Sequence, residues 1–296
     1  MLEIVSNSKN DPIVECLTKL FSEEFIQNAA AETKFIQRKR KIDPIIFFWV
    51  IVIGFGVNYL REIRGLKRTY ETESTKKLSI SSFNDRFTEK AENFFKKCVI
   101  HALDFKTQEH NLKLGDKLIS FKDILIQDSS IIRLHESLAK IWPAARSKKV
   151  AAGLKLSCVI SCVADSVKTV RIFSERKAEV KTLRLGAWLK DCILLMDLGF
   201  FNYSSFDRVE YYGGFFVSRL KSNANPKIVK LNGECKGISK KIIGKKLRDV
   251  LPLLKNEILD VIVEVEFKKR KYNGKATKII RTFRLVCVYN EETEKY

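Results

Sequence analysis

The sequence predicts an α/β protein, with a mixed-sheet core preceded by a helical region and followed by a β-rich basic one. Three observations carry this. The apolar period is helical before about residue 120 and switches to strand-like runs interleaved with helical ones after it. Two short unbroken apolar runs, 124–127 and 192–196, each deliver an aspartate, Asp128 and Asp197. The chain carries 55 Lys and Arg against 35 acids, a formal charge of +20, which calls for a polyanionic partner.

Taken in order, residues 1–120 form the helical region. Asp11-Pro12 and Asp43-Pro44 each place a capping acid before a proline suited to the first turn. Ile13, Leu17, Leu20, Phe21 and Phe25 recur at helical spacing. A second helix follows Pro44, with a bend expected at Gly54 or Gly56. A third follows Ser79-Ile80-Ser81-Ser82, its stripe formed by Phe83, Phe87, Ala91, Phe94, Cys98 and Ala102. Such a domain either presents a helix to a DNA major groove or only packs on itself. Both readings are open at this point.

The run 45–57 is strongly apolar but is cut short by Asn58, Arg61, Glu62 and Arg64, below the roughly 20 residues that span a bilayer. A buried helix is expected there, and no membrane. Met1-Leu2-Glu3-Ile4-Val5-Ser6-Asn7 has no basic start leading into an apolar stretch, so no secretory leader is expected. Seven unpatterned cysteines suit a reducing, cytoplasmic compartment better than zinc or a disulfide framework.

The polar stretch 111–122 is the expected boundary, and residues 121–225 form the core domain. Strands are expected at 124–127, 156–163 and 167–173, a helix at 177–190, a strand at 192–196, a helix near 203–212 and a strand at 214–220. Three strands, helix, strand, helix, strand is the order of a ribonuclease-H-like core, in which the first and fourth strands lie side by side. Asp128 and Asp197 would then meet although 69 positions separate them. The plainer alternative is that each Asp caps the turn after its strand.

Residues 226–296 form the basic β-rich region. Residues 259–267 alternate as a strand, Asn273-Gly274 is a strong hairpin signal, and 279–289 returns. Eight Lys and Arg, including Lys268, Lys269, Arg270 and Lys271, fall between Lys268 and Arg284 with no acid among them. A positive surface for DNA phosphates is expected, against the alternative of a solvated edge guarded by lysines.

Paired aspartates at strand ends suit hard cations such as Mg²⁺ or Mn²⁺, which prefer oxygen ligands. Two such ions about 4 Å apart activate an attacking oxygen and stabilise a leaving one at a phosphodiester. Asp128 would bridge both ions and Asp197 would hold one.

Asp128-Ser129-Ser130-Ile131-Ile132-Arg133-Leu134, then Ala151-Ala152-Gly153-Leu154-Lys155-Leu156, then Asp197-Leu198-Gly199-Phe200-Phe201, then Phe216-Val217-Ser218-Arg219-Leu220-Lys221-Ser222-Asn223-Ala224 resemble, in order, landmarks of the DDE insertion-sequence transposases of the insertion-sequence-four group. Phe35-Ile36-Gln37-Arg38 and Ser82-Phe83-Asn84-Asp85-Arg86-Phe87 resemble that family's N-terminal helices. The resemblance implies cut-and-paste DNA transposition by two-metal phosphoryl transfer. Asp128 and Asp197 match its first two catalytic acids and metal ligands. Lys155, Arg219 and Lys221 match positions near the site and are expected on DNA phosphates. Leu198 and Phe200 stand where the family usually has Arg and Tyr.

The family's third acid is a Glu in the pattern Tyr-x2-Arg-x3-Glu-x6-Lys. The sole Arg-x3-Glu here, Arg171 to Glu175, has Lys168 and Thr182 at the flanking positions and is not that motif. The resemblance implies that the Glu-bearing helix would follow Tyr296, so a C-terminally truncated transposase is expected, binding DNA but cleaving it weakly or not at all. A catalytically inactive DNA-binding remnant is the alternative. Its partners would be double-stranded DNA, at transposon ends and target, and a second copy of the chain as a homodimer on the cytoplasmic nucleoid.

Overall fold

Helix caps set the elements of the first part of the chain. The computed structural model describes residues 12–36, 42–57, 62–109, 114–145, 151–232, 241–254, 258–270 and 276–289. The chain divides into two compact units, 1–111 and 112–296.

The first unit is helical: α1 (Pro12–Leu20), α2 (Glu23–Glu32), α3 (Pro44–Trp49), α4 (Ile63–Ser74), α5 (Ile80–Asn84) and α6 (Glu89–Glu109). Asp43 caps α3 as expected, its Oδ1 accepting from the Ile45 and Ile46 amides at 2.8 and 3.3 Å. Asp11 lies outside the described residues. After Trp49 the helix widens into a π-helical run, Val50–Val57, through the two glycines where a bend was expected. The stretch read as one helix from 13 to 25 is two, because the Ser22 hydroxyl accepts from Phe25 N at 3.1 Å and starts α2. The helix after Ser79 is likewise divided at 85–88. Phe47, Phe48, Phe83, Phe94 and Tyr70 are fully buried together, and the Tyr70 hydroxyl accepts from the Asp43 amide at 2.8 Å. No described helix is long and apolar enough to cross a membrane.

The second unit holds a five-stranded sheet in the order β3-β2-β1-β4-β5, formed by β1 (Asp123–Leu134), β2 (Ala152–Ser161), β3 (Ser166–Ser174), β4 (Cys192–Met196) and β5 (Phe215–Ser218). β1, β2 and β3 are antiparallel neighbours, whereas β4 runs parallel to both β1 and β5. The first and fourth strands are adjacent, as the element order predicts. The architecture is that of a ribonuclease-H-like core with a helical N-terminal region.

The residues 177–190 do not form the expected helix. They make two short 3-10 turns, Glu179–Lys181 and Ala187–Leu189. Leu183, Leu185 and Leu189 are buried, and Gly186 is fully extended at φ −166° and ψ −175°, so the segment lies flat beneath the sheet. α7 (Tyr203–Tyr211) packs on the same side, its Phe206 ring stacked 4.2 Å from Phe216 of β5.

A second sheet, β6-β7-β8, comprises β6 (Lys227–Leu231), β7 (Leu259–Arg270) and β8 (Ala276–Cys287), with α8 (Leu247–Val250) between β6 and β7. Alternate β7 residues Leu259, Val261, Val263 and Val265 are buried in one cluster with Leu125, Leu194 and Phe206 of the first sheet and α7. The long β7–β8 hairpin is present, and its Asn273-Gly274 turn lies outside the described residues.

The two faces of the first sheet differ. Its covered face buries Gln127, Lys155, Ser157 and Ser161 along with Leu125 and Val159. Its other face carries Ile124, Ile126, Leu156, Cys158 and Ile160, with Val170, Ile172, Phe215 and Val217 from 39% to 58% exposed. In β2 the polar side of the strand points inward and the apolar side outward.

Candidate active site

Both aspartates stand where parallel pairing between β1 and β4 runs out. The last paired residues are Gln127 and Met196. Asp128 and Asp197 are the next residue on each strand, and strands in such a pair lie about 4.8 Å apart. Asp197 is still extended, at φ −76° and ψ 168°, so it keeps the alternation of β4. The two carboxylates therefore rise from the same face, the one that carries Ile126 and Leu195.

The row continues on either side. Asp128 faces Cys158 of β2. The β4–β5 pairing ends at Met196 and Ser218, which makes Arg219 the next neighbour of Asp197. Arg219 Nη2 donates to Asp197 Oδ1 at 2.5 Å. Cys158, Asp128, Asp197 and Arg219 thus cross four strands in one line.

Both acids are exposed. Arg219, and after it the Leu198 amide, hold the Asp197 carboxyl below the usual range. Among the described residues no side chain bonds the Asp128 carboxylate. Burial, with Asp128 adding to it, pushes the Cys158 thiol up, so this sulfur stays protonated and is a poor ligand for a hard cation.

The covered side beneath this row is polar and satisfied. Gln127 Nε2 donates to Ser157 Oγ at 3.0 Å and to the carbonyls of Cys158 and Asp128 at 3.0 and 3.2 Å. Ser157 Oγ donates to Thr182 Oγ1 at 3.2 Å, and Thr182 donates to the Glu179 carbonyl at 2.7 Å. One residue on from Asp128, Ser129 Oγ donates to Glu179 Oε1 at 2.7 Å.

The basic residues expected near the site divide. Lys155 is 6% exposed and donates to the Lys177 carbonyl at 2.7 Å, because position 155 shares the covered face with Ser157 and Val159. Its ammonium is committed inside the fold. Lys221 lies 5.6 Å over the Phe201 ring and lines a cavity of about 450 Å³ with Asn202, Tyr203, Asn223, Phe267 and Lys268. Lys268 is exposed, whereas Lys269 pairs with Asp207 of α7, which is also held by Arg281. The Arg270 side chain and all of Lys271 lie outside the described residues.

The acid-free stretch 268–284 is therefore less positive than its sequence. Lys269 and Arg281 meet Asp207, Arg284 meets Asp260, and Lys278 meets Glu266. His135 caps a 3-10 turn, its Nδ1 accepting from Ser137 N at 3.3 Å. Glu175 is buried against Arg133. Neither joins the aspartates, and among the described residues no group of three His, Cys, Asp or Glu is placed to hold a metal ion.

Two carboxylates nonetheless fit one hard cation. Mg²⁺ usually keeps several waters and takes one or two protein carboxylates. A second ion would need a further oxygen ligand.

The transposase DDE domain family matches residues 119–294. The transposase for insertion sequence element IS231F of Bacillus thuringiensis subsp. israelensis is 27% identical over 225 residues, 72% of this chain and 45% of that protein. The transposase for IS1151 of Clostridium perfringens is 26% identical over 217 residues, 71% of this chain and 46% of that protein. The chain spans about half the length of the curated relatives it matches. With the family match running across the whole sheet and both aspartates, the chain belongs to the transposase DDE domain family.

Proposed function

We propose that Asp128 and Asp197 are the first two acids of a phosphoryl-transfer site acting on double-stranded DNA at the ends of an insertion sequence and at its target. The observation that carries this is the register: the two residues follow Gln127 and Met196 on neighbouring parallel strands and rise from one face. Bound divalent ions supply charge stabilisation for the attacking and leaving oxygens. Asp128 and one oxygen of Asp197 are the groups that would hold them. Arg219, occupying the other Asp197 oxygen, fixes that carboxylate in one rotamer. Lys221 and Lys268 would position a phosphate near Asp197, and positioning with charge is most of what such chemistry needs.

A second reading has its own support. Among the described residues no third acid joins the pair, so a chain that binds DNA without cutting it is the alternative. The two separate in one assay. Purified chain is mixed with end-bearing duplex DNA, with and without Mg²⁺ or Mn²⁺. Metal-dependent nicking or joining that disappears in Asp128→Asn and Asp197→Asn supports the enzyme. Retarded DNA with no cleavage supports the binding protein, and failure to bind DNA removes both.

A further inference from the structure

The geometry points to Glu179 as a positioning residue that ties β1, just past Asp128, to the turn that follows β4 and so fixes the separation of Asp128 and Asp197. This rests on the reading of those two acids as the site. Nothing in the spacing of the sequence singles out Glu179, which lies in a turn 18 residues before Asp197.

Its carboxylate reaches the chain just past each aspartate. Oε1 accepts from Ser129 Oγ at 2.7 Å, one residue past Asp128. Oε2 lies against the Cα of Gly199, two residues past Asp197: a Cβ there would collide with Oε2 and stand 2.7 Å from Glu179 Cδ. A side chain at 199 would meet only the flexible end of Glu179, so it would push that carboxylate away rather than break the backbone. Glu179 itself is anchored from below, since its carbonyl accepts from Thr182, which is tied through Ser157 to Gln127. Gln127 in turn donates to the Asp128 carbonyl. A closed circuit of hydrogen bonds and one tight contact therefore runs from Asp128 through Glu179 to the turn that begins at Asp197.

No described Lys, Arg or His forms an ion pair with Glu179, so charge pairing does not account for its placement. A residue that orients ligands without touching the ion typically changes metal affinity by about 10–100-fold when removed.

The test uses the full chain and two readouts. Hydrogen exchange is followed at the amides of Phe200 and Phe201, which donate to the Asp197 and Leu198 carbonyls at 2.9 and 3.1 Å. Mn²⁺ affinity is measured by electron paramagnetic resonance. Glu179→Ala should speed exchange at these amides severalfold and weaken Mn²⁺ binding about 10-fold, with β2 and α7 amides unchanged. Glu179→Gln keeps the acceptor and should restore both. Gly199→Ala, which expels the carboxylate, should behave like Glu179→Ala. Unchanged exchange at Phe200 and Phe201 in Glu179→Ala overturns the inference, as does a Glu179→Gln as defective as the alanine variant. A wild-type chain that takes up no Mn²⁺ sinks the metal reading of Asp128 and Asp197 instead, and hydrogen exchange alone then decides the role of Glu179.

Discussion

Arg219 reaches Asp197 across the β4–β5 edge, its Nη2 2.5 Å from the carboxylate, in line with Asp128 on the far side. The pair is solvent-exposed, with side chains 72% and 60% accessible, so its value lies in orientation more than stability. Arg219→Ala should let the Asp197 carboxyl rise toward the ordinary aspartate range, because Arg219 is the main cause of its depression. The sign follows from the lowered value. Whatever the pair contributes is present above the unfolded aspartate range and is lost as pH falls through the folded one. Carboxyl NMR titration of wild type and variant checks this, and coincident curves would refute it.

Asp207 makes the opposite case, a carboxylate 6% exposed inside the fold. Burial pushes it up, and the bonds from Lys269 and Arg281 outweigh burial, leaving it below the usual value. Removing a buried acid strands two cations. Because both are partly exposed, Asp207→Ala is expected to cost about 2 kcal/mol, less than a fully buried pair would. The contribution should fade as pH drops through the depressed folded value. Urea melts at neutral and acid pH measure it, with the difference between wild type and variant shrinking on acidification.

The faces of the first sheet differ in what they tolerate. Phe206, 2% exposed and stacked on Phe216, fills the covered side. Phe206→Ala should cost about 3–5 kcal/mol. Val217, 58% exposed on the other face, should cost under about 0.5 kcal/mol as Val217→Ala. Comparable losses at both sites would mean that the apolar face is buried in solution.

The strand order was legible because the succession of apolar runs matched the element order of a ribonuclease-H-like core, in which the first and fourth strands are neighbours, so the two acids could be paired from the sequence. Lys155 was misplaced for a physical reason. The resemblance put it beside DNA phosphates, yet the sheet buries Lys155, Ser157 and Ser161 and satisfies them with hydrogen bonds. The helix expected over 177–190 failed because Leu183 and Leu185 are spaced for an extended chain, with Gly186 after them. Glu179 gave no signal, because its contacts to Ser129 and Gly199 join residues 50 and 20 positions away. Partners such as Asp207 for Lys269, 62 residues apart, leave no local trace.

Those distant pairings change what the hairpin can offer DNA. Lys268 has no described carboxylate partner, whereas Lys269 is committed to Asp207. Each phosphate neutralised adds roughly −0.9 to the slope of log affinity against log salt. Lys268→Ala should therefore flatten that slope by about 1. Lys269→Ala should leave the slope nearly unchanged and lower the melting temperature, since its loss weakens the anchor between β7 and α7. Binding isotherms on duplex DNA between 50 and 200 mM salt separate the two, a range over which phosphate contacts change affinity steeply. Equal changes in slope for both variants would mean that the Asp207 pair opens when DNA binds, and a flat response in wild type would remove the hairpin from the DNA interface.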